Sequence, residues 1–312
     1  MQIDDVRRIL IIGSGIMGRQ VSWQFATHGY DVVLYDINDR MLGDAAATLD
    51  RFAHDFTSNR LLSEPEASEA RARVEFESDA AKATRGVSFV SESVFENLDL
   101  KRQVFARFHE LCPPEAVFTT NTSSLLPSKI AGKTGRPGQF CAFHFHQPVW
   151  DSNVVDIMPH PGTHPDVVTL LRQLALRIDQ VPILLEKESP GYVFNAMLDA
   201  VLRAAMQLTA EDVATIEDVD RAWMGITKMP IGPFGILDMV GIDLAYGVVA
   251  EKTNLAAFLP RVRRLRRLLK TRVDAGELGM KSGKGFYKYP DPAYQQPDFV
   301  AGIDGEMNHP RR

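Results

Sequence analysis

Apolar positions recur in two different rhythms along this chain, and the change from one to the other divides it. Residues 7–13 (RRILIIG) form a short β-branched apolar run, which predicts a buried strand. In residues 14–29 the apolar residues Ile16, Val21 and Phe25 follow at helical spacing, with the glycines clustered at the start. Residues 31–36 (DVVLYD) predict a second strand. A polar, Ala-rich helical stretch then runs over 40–72, punctuated by Ser63-Glu64-Pro65. Residues 86–92, 116–121, 140–145 and 154–158 predict further strands, with a helix over 101–111. Strands alternating with helices imply an α/β fold built on a doubly wound, mostly parallel sheet.

The rhythm switches at Ser189-Pro190-Gly191. Residues 192–207 read as one long apolar-rich helix, and more helical segments follow without a convincing strand. The expected organisation is therefore an α/β domain over 1–188 and an all-helical domain over 189–312. The tail after Tyr289, with Pro290, Pro292, Pro297 and Pro310, is expected to be extended or loosely held.

Composition narrows the function classes. With 312 residues, each half is long enough to bury its own core. A net charge of −5 gives no electrostatic reason to expect nucleic acid or an anionic membrane. The two cysteines, Cys112 and Cys141, suit a reducing compartment as small buried residues. The first apolar run leads into glycines rather than a cleavage site, and no apolar stretch is long enough to cross a bilayer. A cytoplasmic location is expected.

Gly13-Ser-Gly15-Ile-Met-Gly18 lies between a predicted strand and a predicted helix. The first glycine permits a tight turn, the second lets backbone amides approach a pyrophosphate, and the third lets the helix pack closely on the sheet. Phosphates then sit at the positive helix end. The turn as a whole, Ile16 and Met17 included, is expected to touch the cofactor. Asp36, at the end of the next strand, can accept both adenosine ribose hydroxyls and would repel a 2′-phosphate, so NAD is favoured over NADP. Arg40 nearby leaves some NADP use open. The plainer alternative for Asp36 is a strand-end cap.

Two strand ends collect polar groups: Asn121-Thr122-Ser123-Ser124, and the segment from His144 through Gln147 to Asp156. Hydride transfer from an alcohol needs a base for the hydroxyl proton, and imidazole has a matching pKa. A carboxylate on its far nitrogen would fix the tautomer and stabilise the imidazolium. His144 and Asp156 lie on adjacent predicted strands, so such pairing is geometrically easy. A satisfied structural histidine is the alternative for His144, and turn or cap residues are the alternatives for Ser123 and Asn121.

These residues carry a resemblance. The blocks ILIIGSGIMG, SESVFENLDLK, NTSSLLPS, FHFHQP, SPGYVFN, PIGPFGILDMVGID and GKGFYKY make the chain similar to the 3-hydroxyacyl-CoA dehydrogenase family over nearly its whole length. The resemblance implies a Rossmann-like first domain, an all-helical dimerising second domain, and NAD-linked oxidation of an L-3-hydroxyacyl thioester, short-chain and 3-hydroxybutyryl-CoA-like. It places the catalytic His at His144, its acidic partner at Asp156 and the substrate-contacting Ser and Asn at Ser123 and Asn195. It also sets Glu96 and Lys101 along the nicotinamide and its ribose, with Asn121 joining the cofactor contacts. An Asn that bonds across domains is the alternative for Asn195.

The chain departs from that pattern in several places. Asp156 stands where most members have Glu. Because the spacing from His144 matches the family's, the strands are not expected to have slipped, and a bridging water is expected between the shorter acid and the imidazole. His146-Gln147 replaces the usual Phe-Asn before Pro148, and Trp150-Asp-Ser-Asn153 replaces an apolar turn. Residues 40–72, a basic clamp over CoA in the family, contain no Lys, leaving Arg51, Arg60, Arg71 and Arg73 nearby. Residues 159–163 (PHPGT) resemble the lambda-crystallin/L-gulonate dehydrogenase branch, whose substrates are free hydroxy acids. Oxidation of a free 3-hydroxy acid and a non-catalytic crystallin-like role are therefore the alternatives to an acyl-CoA substrate.

Two features remain. His144, His146, His160 and His164 raise a metal site, but no cysteine or third acid has ligand spacing, so no metal is expected. Residues 261–272 are strongly basic, with Val262, Leu265, Leu268 and Leu269 on one stripe, which predicts an amphipathic helix packed on the second domain. The helix from Tyr192 and the apolar segment 230–240 offer more hydrophobic surface than a small helical domain buries, so a homodimer through that domain is expected.

Overall fold

The computed structural model describes residues 1–251 and 260–301, which pack as two compact units, Met1–Phe194 and Asn195–Arg312. The first unit is built on eight strands: β1 (Arg8–Ile12), β2 (Asp31–Tyr35), β3 (Val74–Glu77), β4 (Phe89–Glu92), β5 (Val117–Thr120), β6 (Phe140–Phe145), β7 (Val154–Met158) and β8 (Val181–Leu184). They lie in the order β3-β2-β1-β4-β5-β6-β7-β8. The first six are parallel, and the chain then reverses, so that β7 pairs antiparallel with β6 and parallel with β8. This is a Rossmann-like sheet, whose order reverses between β1 and β4 and opens a crevice at the strands' carboxyl ends.

Period-two alternation divides the buried residues between the two faces. Ile9, Ile11, Val32, Leu34, Phe89, Phe143 and Phe145 share a core with helices α1 (Ile16–Thr27) and α2 (Asp39–Ser58). Leu10, Ile12, Val33, Val90 and Phe118 share another, which includes Phe105 and Phe108. Between α2 and β3 stands α3 (Glu64–Ala72), opened by a capping box in which Ser63 and Glu66 satisfy each other's backbone N–H. Then follow α4 (Ala80–Ala83), α5 (Leu98–Leu111), which carries Phe105 and Phe108, α6 (Pro127–Ala131) and α7 (Pro165–Arg177).

The pattern of apolar runs missed β3 and β8. Val74-Glu-Phe-Glu77 is half polar because β3 is an edge strand, and β8 is the opposite edge, with Pro182 inside it and both end residues exposed. Edge strands need no continuous apolar run, and Pro is tolerated there.

The described part of the second unit is helical: α8 (Phe194–Ala210, its first residue in the first unit), α9 (Ile216–Thr227), α10 (Pro233–Val240), α11 (Ile242–Glu251) and α12 (Pro260–Asp274). The basic stretch is indeed an amphipathic helix, with Leu265 and Leu269 buried; the Arg261 side chain lies outside the described residues. The tail is not loosely held as far as residue 301, since Tyr294 and Phe299 are buried in the unit's core; Pro310 lies outside the described residues. None of the described helices is long and apolar enough to cross a membrane.

Two buried aspartates hold this unit together. Asp220 accepts from the backbone N–H of Phe234 and Gly235 at 2.8 and 3.0 Å, and from the Tyr287 hydroxyl at 2.9 Å. Asp238 accepts from the N–H of Phe286 and Tyr287, both at 2.8 Å, and from the Tyr289 hydroxyl at 3.0 Å. A Cβ on Gly285 would stand 2.0 Å from Asp238 Oδ1, so only glycine lets the chain come that close. The blocks PIGPFGILDMVGID and GKGFYKY are thus two halves of one hydrogen-bonded brace. Asp238→Ala orphans two buried backbone donors and the half-buried Tyr289 hydroxyl, and urea denaturation of the full chain is expected to show a loss of about 3 kcal/mol.

Candidate active site

The glycine turn sits at the crevice. Gly13 adopts φ +105°, and a Cβ there would lie 2.8 Å from the Ser93 carbonyl. A Cβ on Gly18 would meet the Gly13 carbonyl at 1.8 Å, so α1 packs against the turn as only glycine allows. A Cβ on Gly15 would meet nothing. That open space in front of an N-terminus with no side-chain cap is what a pyrophosphate requires, so the residues fit a dinucleotide. Ile16 is exposed and Met17 half-buried, on the first turn of α1. Asp36 follows β2, where its Oδ2 accepts from Ser14 N (2.9 Å) and Ser14 Oγ (2.8 Å). Its other oxygen accepts from Asn38 N at 3.2 Å. The aspartate is tied directly to the turn.

A buried polar network lies beside it. Glu92 ends β4 in register with Ile12 of β1 and Thr120 of β5, fully enclosed. It accepts from Lys101 Nζ, Val94 N and Thr120 Oγ1, each at 2.7 Å. Burial pushes its carboxyl above the usual range, against the pull of Lys101 and these donors. Lys101 is 1% exposed and also donates to the Val94 carbonyl at 3.2 Å, with Glu96 at 3.4 Å. Glu96 gathers the loop after β5: Thr122 Oγ1, Ser123 N (3.0 Å), Ser124 N (2.9 Å) and Ser124 Oγ (2.8 Å) all donate to it. Partial burial raises the Glu96 carboxyl, but Thr122, Lys101 and Ser124 outweigh this and hold it low. Asn121, 8% exposed, accepts from Phe145 N at 2.8 Å and so ties β5 to the end of β6.

At that end stands His144, 4% exposed and directly opposite Asp156 in the antiparallel ladder. Its Nδ1 is 3.1 Å from Asp156 Oδ2, and its Nε2 is 3.2 Å from Ser123 Oγ. A carboxylate oxygen only accepts, so Nδ1 carries the proton and Nε2 is the lone-pair nitrogen facing the exposed serine. Burial lowers the His144 pKa below the ordinary imidazole value, the bond to Asp156 opposing it, so the ring is neutral and competent as a base at pH 7. Asp156 is 1% exposed, and burial would raise it; the bonds from His144 and His146 hold it below the usual range. The Tyr192 ring stacks on His144 at 4.5 Å and 12°, its hydroxyl anchored on the Thr122 carbonyl at 2.6 Å.

Comparisons with known proteins give the family. Residues 8–189 match the family described as 3-hydroxyacyl-CoA dehydrogenase, NAD binding domain, and residues 191–289 match its C-terminal domain. The chain belongs to the 3-hydroxyacyl-CoA dehydrogenase family. As a member it is an NAD-dependent oxidoreductase. It is 27% identical over 289 residues to the mitochondrial hydroxyacyl-coenzyme A dehydrogenase of Sus scrofa, covering 91% of each chain. Among solved structures it is similar to a diketoreductase acting on dicarbonyl compounds (35% identity, TM-score 0.82, 91% and 99% of the two chains). It is also similar to the (S)-3-hydroxybutyryl-CoA dehydrogenase of Ralstonia eutropha (28%, TM-score 0.83, 92% and 100%).

In this member of the family the first unit brings Ser123, His144 and Asp156 together, while Asn195 lies in the first turn of α8, in the second unit. One expectation is overturned: Asp156 and His144 bond directly rather than through a water. Cross-strand partners have Cβ atoms about 4.5–5.5 Å apart, a gap that an aspartate spans unaided. Reading the histidines also missed the acid within reach of both His144 and His146. Their ring nitrogens and an Asp156 oxygen lie within 4.8 Å of one another, and His146 Nε2 bonds Asp156 Oδ2 at 2.8 Å. Two N–H groups on one acceptor account for that closeness. His160 and His164 are elsewhere, one on the Pro137 carbonyl and the other capping α7. Glu92 was missed as well, although a lone acid closing the apolar run of β4 is a signal that could have found it. Since the contact is direct, Asp156→Glu forces the ring aside, and steady-state assays are expected to show kcat falling about tenfold or more, as for Asp156→Asn.

Proposed function

We propose that the chain oxidises the 3-hydroxyl of a short 3-hydroxyacyl-CoA, of the 3-hydroxybutyryl type, to the 3-keto group. The observation that carries the reading is the neutral, buried His144, whose bonded Nδ1 leaves Nε2 turned toward Ser123. NAD, when bound, supplies the hydride acceptor for the substrate carbon. Ser123 Oγ and His144 Nε2 hold the substrate hydroxyl between them. His144 takes its proton at Nε2 as the carbonyl forms, and the Asp156 carboxylate stabilises the resulting imidazolium through Nδ1–H. Gly13, Gly15, Ile16, Met17 and Gly18 would cradle the pyrophosphate and Asp36 the adenosine ribose, which favours NAD over NADP. Glu96, Lys101 and Asn121 shape the loop along the nicotinamide, and Asn195 is assigned to the substrate by its place in the SPGYVFN block.

A second reading, a substrate without CoA, is favoured by one feature. Arg71 is paired with Asp50 at 2.6 Å and Arg73 with Glu69 at 2.6 Å, so two of the four arginines near the expected CoA clamp are already neutralised. The similarity to a diketoreductase points the same way. NADH-absorbance assays over 3-hydroxyacyl-CoAs and free 3-hydroxy acids, with NAD and NADP, separate the two. Highest kcat/KM on a short thioester with NAD is expected, and highest efficiency on a free acid would replace the first reading with the second. His144→Gln should lower kcat by about a hundredfold to ten-thousandfold with NAD affinity kept, and near-normal kcat would place the base elsewhere.

The second unit supports a homodimer. Ile226, Val213, Leu244 and Met239 are 82%, 65%, 59% and 58% exposed, an apolar surface that a second copy would cover. Sedimentation at micromolar concentration is expected to show a dimer, and a fully active monomer would end this assignment.

A further inference from the structure

We propose that His146 is a positioning residue that shares the Asp156 carboxylate with His144 and thereby keeps His144 a weak enough base to stay unprotonated. The proposal rests on the reading of His144 as the base. A single oxygen, Asp156 Oδ2, accepts from His144 Nδ1 at 3.1 Å and from His146 Nε2 at 2.8 Å. The shorter bond goes to His146. Each added donor takes up part of a carboxylate's charge, so the imidazolium forming at His144 meets an acid already partly neutralised.

The geometry commits His146 to this role. Two residues beyond His144, it turns to the same side, and the rings meet edge to face at 4.7 Å and 74°. The Phe194 ring closes on His146 at 5.9 Å and 89°, leaving its side chain 14% exposed against 1% for Asp156. His146 therefore shields one side of Asp156 as well as bonding it. The charged and titratable groups facing His144 are Asp156 from β7, His146 from its own segment, Glu96 from the loop after β4, and Tyr192 stacked on the ring. Asp156 and Glu96 favour the charged imidazole, and His146 opposes it. The resemblance puts Phe at this position in the family, so the second donor is a feature of this chain.

The sign of the effect separates sharing from simple support. If His146 only held Asp156 in place, removing it would loosen the carboxylate and weaken His144 as a base. If it shares the charge, removing it strengthens His144. The full-length chain is to be compared with His146→Phe, which deletes the donor but keeps a ring, and His146→Gln, which keeps a donor without an imidazole. His144 is titrated by NMR of histidine-labelled protein, with His144→Gln for assignment, and the acidic limb of kcat/KM is recorded in parallel. In His146→Phe both are expected to move up by about 0.5–1 pH unit, with KM for NAD unchanged. In His146→Gln the limb is expected to stay near its wild-type position. A downward shift, or none, in the NMR titration of His146→Phe overturns the proposal, and His146→Leu gives the same test should the Phe variant not fold. An NMR shift that the kinetic limb does not follow leaves the sharing intact and removes His144 as the base.

Discussion

An imidazole buried in a protein can take a proton only if something nearby accommodates the charge it gains. Here that something is the carboxylate placed opposite His144 by the reversal of chain direction between β6 and β7. The register is held by the other face of β6. Phe143 and Phe145 are buried in the core against Phe25 and Phe89, and a slip of one residue would turn them out of that core and bring His144 into it. The packing of apolar residues on one face thus holds the chemistry on the other in register.

The same rule governs the carboxylates that this fold encloses. Glu92, Asp156, Asp220 and Asp238 are each at most 1% exposed, and each is surrounded by donors. Their donors differ, and so do their uses. Asp220 and Asp238 are met by backbone N–H groups and tyrosine hydroxyls, which hold their protons over the working range of pH. They act as fixed braces for the aromatic segment of the second unit. Asp156 is met by the ring N–H groups of two imidazoles, which share one of its oxygens. Glu92 stands between these cases. Bound to Lys101, it lies under the loop that Glu96 organises and ties the nucleotide crevice to the serine facing His144.

The glycine turn shows how one motif divides its tasks. Gly13 and Gly18 are required by the protein's own packing, since a Cβ at either would collide with a backbone carbonyl. Gly15 meets no such limit, since a Cβ there would meet nothing. Packing therefore accounts for two of the three glycines, and the proposed dinucleotide gives the third its use.

Much of this is legible in the order of residues alone. The β-branched runs, the glycine turn, Asp36, the strand-end polar groups and the amphipathic basic helix are local patterns, and local patterns survive in a linear sequence because neighbours along the chain determine them. The edge strands β3 and β8 leave a weaker trace, because β3 is half polar and β8 is a four-residue stretch with Pro182 inside it. Asp220 and Asp238 give no sign, because the donors that justify burying them arrive from as many as 67 positions away. His144 and Asp156 can be paired from their spacing, but whether they touch depends on the distance between two strands, which no spacing states. The second donor on Asp156 is hidden for the same reason. His146 reads as an ordinary departure from the family's Phe until the fold brings its Nε2 to the oxygen that His144 also uses. Sequence determined which groups were available, and the tertiary structure decided which shared a proton acceptor, because hydrogen bonding depends on distances of a few tenths of an ångström that only packing sets.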